Sequence, residues 1–388
     1  MIKYFKLSLK YSFLPLLFLL SSCASLSALK FWENDEFDLD EPRPLQNITE
    51  KKEIVSNWSL NFTGDNDLGN FIPSFSSKSI YFADSEGNVK SIDIASGNIN
   101  WQKQFKSLSA GIASGYGISV ISDIDGNVIA LDQADGSVIW TKNVQGEVLS
   151  QAALSAKSIF IKTGSGELIS LDKDTGDISW SYRAKLPPLT IRGSSRPVIS
   201  EDIVYATFDS GRLVAFEIDT GYPIWDGAIS YTEGVSELEN IIDSDSSPLI
   251  EGGLVYTTNY QGNLNIFDIA QRRSLWQSKL SSFYSPLISR GLIVLIESNS
   301  NIKSFSITNL QESWQSESYL NRGLSNAVSF EGYIIIGDYE GYIHIIDPIS
   351  GITVGRKKIS KNPIKNIISR SKNFYVVDES FKLLSLSI

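Results

Sequence analysis

One pattern recurs seven times in this chain at intervals of about forty residues, and it restricts the fold to a ring or stack of repeats. The pattern is Gly, then an acid six residues on, Gly four later, and Trp four later again. Gly87, Asp93, Gly97 and Trp101 make one copy; Gly126, Asp132, Gly136 and Trp140 make the next. It continues with Gly166, Asp172, Gly176 and Trp180, then Gly211, Glu217, Gly221 and Trp225. Gly262, Asp268 and Trp276 form a fifth copy, and Asn301, Ser306 and Trp314 a worn sixth. In the seventh, Gly341, Asp347 and Gly351 lead to Gly355 where Trp is expected. From Trp101 onward the tryptophans stand 39, 40, 45, 51 and 38 residues apart.

Each repeat reads as four short strands. Residues 79–84 are rich in β-branched and aromatic side chains, the composition of a strand. Ser85-Glu86-Gly87-Asn88 is turn chemistry, because Gly and Asn tolerate positive φ. Residues 89–94 alternate again, 95–98 turn, and 99–105 carry Trp101 on an outer strand. Phe71–Ser76 supplies an inner strand. The recurring Trp fills the wedge between neighbouring blades, and the recurring Asp and Gly shape a turn. Residues 364–388 form an eighth repeat without an outer strand, and Trp58–Phe62 is an outer strand without a repeat. The expectation is an all-β, eight-bladed β-propeller with four antiparallel strands per blade, closed by the N-terminal strand. Closure removes open sheet edges.

The N-terminus predicts export. Lys3, Lys6 and Lys10 precede an apolar run at 13–20, and Leu20-Ser21-Ser22-Cys23 resembles a bacterial lipobox. Residues 1–22 are therefore expected to be a lipoprotein signal peptide, with Cys23 lipidated. Cys23 is the one cysteine in the sequence, so the mature chain has no disulfide. Residues 23–57, rich in acids with Pro42 and Pro44, are expected to be a flexible tether, and 58–388 the propeller. The anchor holds the protein to a membrane without a spanning segment. Ala24 after the Cys is compatible with the outer membrane, the propeller facing the periplasm. The net charge of −10 becomes −13 when the three signal lysines leave, which argues against nucleic-acid partners.

No catalytic constellation emerges. His344 is the one histidine and lies in an ordinary strand, so a multi-histidine metal site is excluded. It has no nucleophile-elbow motif beside it. The Gly clusters belong to blade turns rather than phosphate loops. Glu233, Glu237, Glu239, Asp243 and Asp245 lack a calcium-loop pattern and read as a solvated acidic loop. No enzyme activity and no metal are expected.

Two neighbouring connections are longer than the rest. One contains Lys185–Gly193 and the other Tyr231–Ser246, and both join an outer strand to the next inner strand beside blade 4. Insertions on one face of a repeat protein commonly mark its binding side. Leu189 and Ile191 are apolar residues behind the stiff Pro187-Pro188, with Arg192 next to them. Two readings stand: these side chains anchor a partner, or they fold back over the blade with Arg192 paired to Asp243 or Asp245.

The run Leu189-Thr190-Ile191-Arg192-Gly193, the run Asp243-Ser244-Asp245-Ser246-Ser247-Pro248, and Gly337–His344 resemble the BamB family, the propeller lipoproteins of the outer-membrane β-barrel assembly machinery. The resemblance spans the mature domain. It implies a non-catalytic scaffold, monomeric by itself, that docks on a periplasmic POTRA domain of BamA and aids delivery and insertion of outer-membrane proteins. The matching contact positions are Leu189, Ile191, Arg192, Asp243 and Asp245, with Ile191 in place of the family's usual Leu. A rival function is that of a quinoprotein dehydrogenase, whose Trp-marked blades hold pyrroloquinoline quinone with calcium. Its adjacent Cys pair and calcium ligands are not evident here, so no cofactor is expected. A generic cell-envelope propeller binding another protein or a glycan is the other alternative.

Overall fold

The computed structural model describes residues 41–64, 69–186, 194–230, 246–260 and 262–388. Among them are eight four-stranded antiparallel sheets and no helix. Strands are called first to fourth from the central channel outward. The first blade runs Ser74–Phe75, Ser79–Ala83, Asn88–Asp93 and Ile99–Gln104, matching the expected order. Its third and fourth strands pair Ser91 with Trp101, and a bulge follows at Ile92. The same bulge recurs in the next six blades, at Leu131, Leu171, Phe216, Phe267, Phe305 and Ile346. Bulges raise local twist, which suits outer strands that must splay away from the axis.

The core consists of wedges between adjacent blades rather than one central mass. Phe160, Val204 and Phe216 fill the wedge between blades 3 and 4, and Tyr256, Ile266, Ile293 and Leu295 the one between blades 5 and 6. Second and third strands are buried on both faces, while fourth strands are mostly exposed. Burial of two strands per blade is what a ring of tilted sheets requires.

The Trp–Asp–Gly pattern has one geometric meaning. Each Trp leans on the outer turn of the following blade. Trp101, Trp140, Trp180 and Trp314 donate Nε1–H to the carbonyls of Gln133, Lys173, Ile218 and Pro348, at 2.8–3.1 Å. Each acceptor directly follows the repeat's acid. That acid caps its own turn: Asp172 Oδ1 accepts the amides of Asp174 and Thr175. The Gly is the floor on which the indole rests. A Cβ on Gly221 would lie 2.4 Å from the Trp180 ring, and its φ of +70° strains any other residue. The worn repeats keep the backbone without the glycine. Arg272 and Leu310 occupy the same place with φ of 53° and 57°. In the sixth copy Ser300, with φ of 68°, stands at the first glycine position.

Ring closure follows expectation. The N-terminal strand, Val55–Leu60, pairs antiparallel with Leu383–Ser387 as the fourth strand of blade 8. Trp58 then docks on Gly97 of blade 1, its Nε1 3.4 Å from the Ile94 carbonyl. Phe62 packs edge-on against Phe82 at 4.7 Å.

The boundary at residue 58 moves. Residues 42–57, expected as tether, belong with the propeller. Leu45 packs in the wedge between blades 6 and 7, and Ile54 is buried between blades 7 and 8. The segment between them therefore straps across the rim of blade 7. The amides of Lys51 and Lys52 donate to the Val354 carbonyl at 2.7 and 3.1 Å. This explains Gly355 in the Trp position: a Cβ there would come 2.5 Å from the Lys52 carbonyl oxygen. Blade 8 is built from the two ends of the described chain, so it has no Asp–Gly outer turn on which a Trp from blade 7 could rest. Sequence reasoning missed the strap because segment 42–54 has little hydrophobic periodicity. Its fixing comes from backbone bonds and isolated apolar plugs.

Candidate functional site

Leu189, Ile191, Arg192, Asp243 and Asp245 all lie outside the described residues, as does Cys23. The feet of both long connections are described, and they meet. Ser195, Thr207 and Ser246 are buried. Thr207 Oγ1 lies 2.9 Å from Ser195 Oγ and 3.4 Å from the Ser246 carbonyl. The Arg196 amide donates to Ser247 Oγ at 3.0 Å. Lys162, from blade 3, donates to the Thr207 carbonyl at 3.1 Å and to Ser195 Oγ. On the far side Thr258 donates to Ser246 Oγ at 2.8 Å, and Ser285 to the Ser247 carbonyl at 2.7 Å.

This stitch fixes where both connections leave the ring. Arg192 precedes Ser195 by three residues, and Asp245 precedes Ser246 by one. Small hydroxyl residues serve here because each can donate and accept, so the buried backbone at both feet stays paired. A stacked aromatic pair stands nearby. The rings of Tyr260 and Phe283 lie 4.7 Å apart at 11°, and Phe283 remains 39% exposed. Tyr260 lies in a turn between second and third strands, and Phe283 in a blade-to-blade connection, so both occupy the face of the two long connections. Sequence reasoning missed this pair. An aromatic at each of two loop positions was the available signal, but their stacking depends on blades 5 and 6 being neighbours.

The central channel opens beside the stitch. It encloses about 1190 Å³, lined by residues in or just before the first strands, such as Asn70, Ser74, Asn326 and Asn366. Arg196 reaches into it with Nη1 3.5 Å from Gln151 Oε1. The Gln151 amide is held by the carbonyls of Ile72 and Ile112 at 2.5 and 2.7 Å. Among the described residues, no three His, Cys, Asp or Glu side chains converge into a metal site. Among them, too, no helix is long and apolar enough to cross a membrane.

Comparison with known proteins agrees with this architecture. Residues 85–316 match the family model described as "Outer membrane protein assembly factor BamB". A Pseudomonas aeruginosa protein of that name is 32% identical over 84% of this chain and 86% of its own length. Its Vibrio cholerae namesake is 35% identical over 74% of this chain and 76% of its own. The crystal structure of BamB from Moraxella catarrhalis superposes with a TM-score of 0.80 at 22% identity, covering 86% of this chain and all of that one. A quinohemoprotein alcohol dehydrogenase from Comamonas testosteroni shares the fold, with a TM-score of 0.67 at 11% identity over 88% of this chain and 78% of its own. The family match over more than half the sequence, with relatives above 30% identity over most of it, shows that the chain belongs to the BamB family of outer membrane protein assembly factors.

Proposed function

We propose that this chain is a non-catalytic scaffold for outer-membrane protein assembly, anchored through lipid on Cys23 and docked on a POTRA domain of BamA. The observation that carries the reading is the stitch: the two longest blade-to-blade connections spring from one hydrogen-bonded point beside blade 4. Leu189 and Ile191 supply the apolar anchor. Arg192, Asp243 and Asp245 supply register and polar complementarity. The relatives' name, outer membrane protein assembly factor, supports the role, and the partly exposed Tyr260–Phe283 stack adds aromatic surface to the same face.

Replacing Leu189 and Arg192 together by Ala is expected to weaken BamA capture by roughly thirtyfold or more, about 2 kcal/mol at an interface anchor. The melting temperature should stay within a degree or two (~0.5 kcal/mol), the usual scale for substitutions away from a packed core. Capture by immobilised POTRA domains and a thermal melt check both halves. If the double variant unfolds, these residues cap blade 4; if it binds at full strength, the contact lies elsewhere on the ring.

The anchor has its own test. Cys23→Ala is expected to abolish incorporation of radiolabelled fatty acid and release the protein from the outer-membrane fraction. Persistent acylation of the variant overturns the lipobox reading. On the lipobox reading the mature protein faces the periplasm, touches the membrane through lipid alone, and carries no cofactor.

A further inference from the structure

Blade 7 buries a charged relay that turn formation does not require. Asp338 lies between the second and third strands of that blade, Tyr333–Gly337 and Tyr342–Ile346, and is fully buried. Its Oδ1 accepts the amides of Glu340 and Tyr342 at 3.0 Å each, the ordinary turn cap. Asp123 caps the same turn of blade 2 through Asp125 and Asn127. In blade 7 the second carboxylate oxygen does more. Oδ2 accepts from Arg322 Nε at 3.0 Å, Arg322 Nη2 at 2.7 Å and His344 Nε2 at 3.0 Å.

The imidazole tautomer is dictated by its other neighbour. Arg356 Nε lies 3.0 Å from His344 Nδ1, and a guanidinium can only donate. Nδ1 is therefore the acceptor, and Nε2 carries the proton given to Asp338. Each arginine then extends one N–H to the N-terminal strap. Arg322 Nη1 donates to the Arg43 carbonyl and Arg356 Nη1 to the Gln46 carbonyl, both at 2.9 Å. The Arg43 amide closes the contact on the Leu320 carbonyl at 3.0 Å.

We propose that this relay is an acid-released latch: it holds the strap at Gln46 against blade 7 while His344 is neutral and frees the strap there when Nδ1 takes a proton from solvent. A proton on Nδ1 occupies the lone pair that receives Arg356 Nε–H, leaving two donors face to face. Arg356 must turn away and drop the Gln46 carbonyl. The groups around the imidazole set the threshold. Asp338 and, beyond Arg322, Glu340 favour the cation; Arg356 and Arg322 oppose it; Tyr319, edge-on at 4.8 Å, and Tyr342 enclose it without charge. Burial first, and then the two guanidiniums, keep the His344 pKa below its ordinary value near 6.5 despite Asp338.

The sign follows from linkage. With the strap open and the ring solvated, His344 titrates near its ordinary value; latched, it titrates lower. The open form therefore binds more protons in the window below pH ~6.5, and acidification favours opening there. The Arg43 amide bond to Leu320, the Leu45 plug, and the Lys51 and Lys52 bonds to Val354 contain no titrating group, so release is confined to residues 46–50 between them.

The test uses the full-length chain with Cys23→Ser, so that Asn47→Cys carries the one nitroxide label. At pH 7.5 the label's spectrum should be largely immobilised. At pH 5.5 the mobile fraction should rise about tenfold, the shift that one unit of proton linkage supplies. A label at Lys372→Cys on the ring should stay unchanged. His344→Gln offers a carbonyl to Arg356 and an amide to Asp338 without titrating, so its strap should remain held at both pH values. Arg356→Gln should free the strap at pH 7.5 already. A wild-type strap equally immobile at both pH values, an unchanged strap in Arg356→Gln, or acid release surviving in a folded His344→Gln each overturns the latch. Should His344→Gln fail to fold, the wild-type pH pair and Arg356→Gln decide the question.

Discussion

A chain beginning at Thr63 is expected to lose the cooperative melt of the intact protein, whereas one beginning at Pro42 should melt like the full-length chain. The residues from 54 to 62 bury Ile54 and Phe62 and half-bury Trp58 and Leu60 at the join of blades 7, 8 and 1. At about 1.5–3 kcal/mol for each fully buried large side chain, their loss is of order 5–10 kcal/mol, comparable with the whole stability of a typical domain. Removal also strips the partner from Leu383–Ser387 and exposes a new sheet edge. Thermal denaturation followed by circular dichroism measures the difference. Equal melting of the two truncations would show that the N-terminal strand is not the clasp.

The second large effect is expected at Asp338. Asp338→Ala should cost about 3 kcal/mol in urea unfolding, because it takes from Arg322, whose side chain is 3% exposed, its buried carboxylate and leaves it the part-exposed Glu340 alone. Asp123→Ala, which removes the equivalent cap in blade 2, should cost about 1–2 kcal/mol, the scale of a lost hydrogen-bonded cap. Equal losses at the two positions would mean that the relay adds nothing beyond the turn. The pH dependence has a definite sign. Burial pushes the Asp338 carboxyl up, but the hydrogen bonds from His344, Arg322 and the Tyr342 amide outweigh it and hold the pKa below the ordinary value. Stability from Asp338 is thus present above the unfolded value of ~3.9 and lost as pH falls through the lower folded one. The His344 contribution fades earlier, below pH ~6.5, so acid should weaken the wild type in two stages.

The fold was readable because a repeat multiplies a weak local signal. One Gly-Asp-Gly-Trp set proves little; seven copies at blade spacing leave few architectures. The worn copies remained interpretable for the same reason, since Ser300, Arg272 and Leu310 adopt the backbone of the missing glycines. The two long connections were visible as departures from that spacing. Their shared origin was not, because the Ser195–Thr207–Ser246 stitch joins residues that meet only when blades 4 and 5 stand side by side. His344 shows the opposite failure. Its strand context looked ordinary, and it is ordinary along the strand. Arg356 reaches it from a fourth strand, and Arg322 reaches their shared Asp338 from a blade-to-blade connection, at separations no local pattern encodes.

The amino-acid sequence alone thus determined the all-β ring, the eight blades, the closing strand and the place of the two insertions. Each of these is written in local periodicity and in positive-φ turn positions. Tertiary structure alone decided that residues 42–54 belong to the ring, that Gly355 makes room for Lys52, and that Arg322 and Arg356, bonded to a buried aspartate and histidine, reach the strap. The physical reason is the range of the forces involved. Turn and strand preferences act between near neighbours, whereas a buried charge needs partners that only the packed ring can bring within 3 Å.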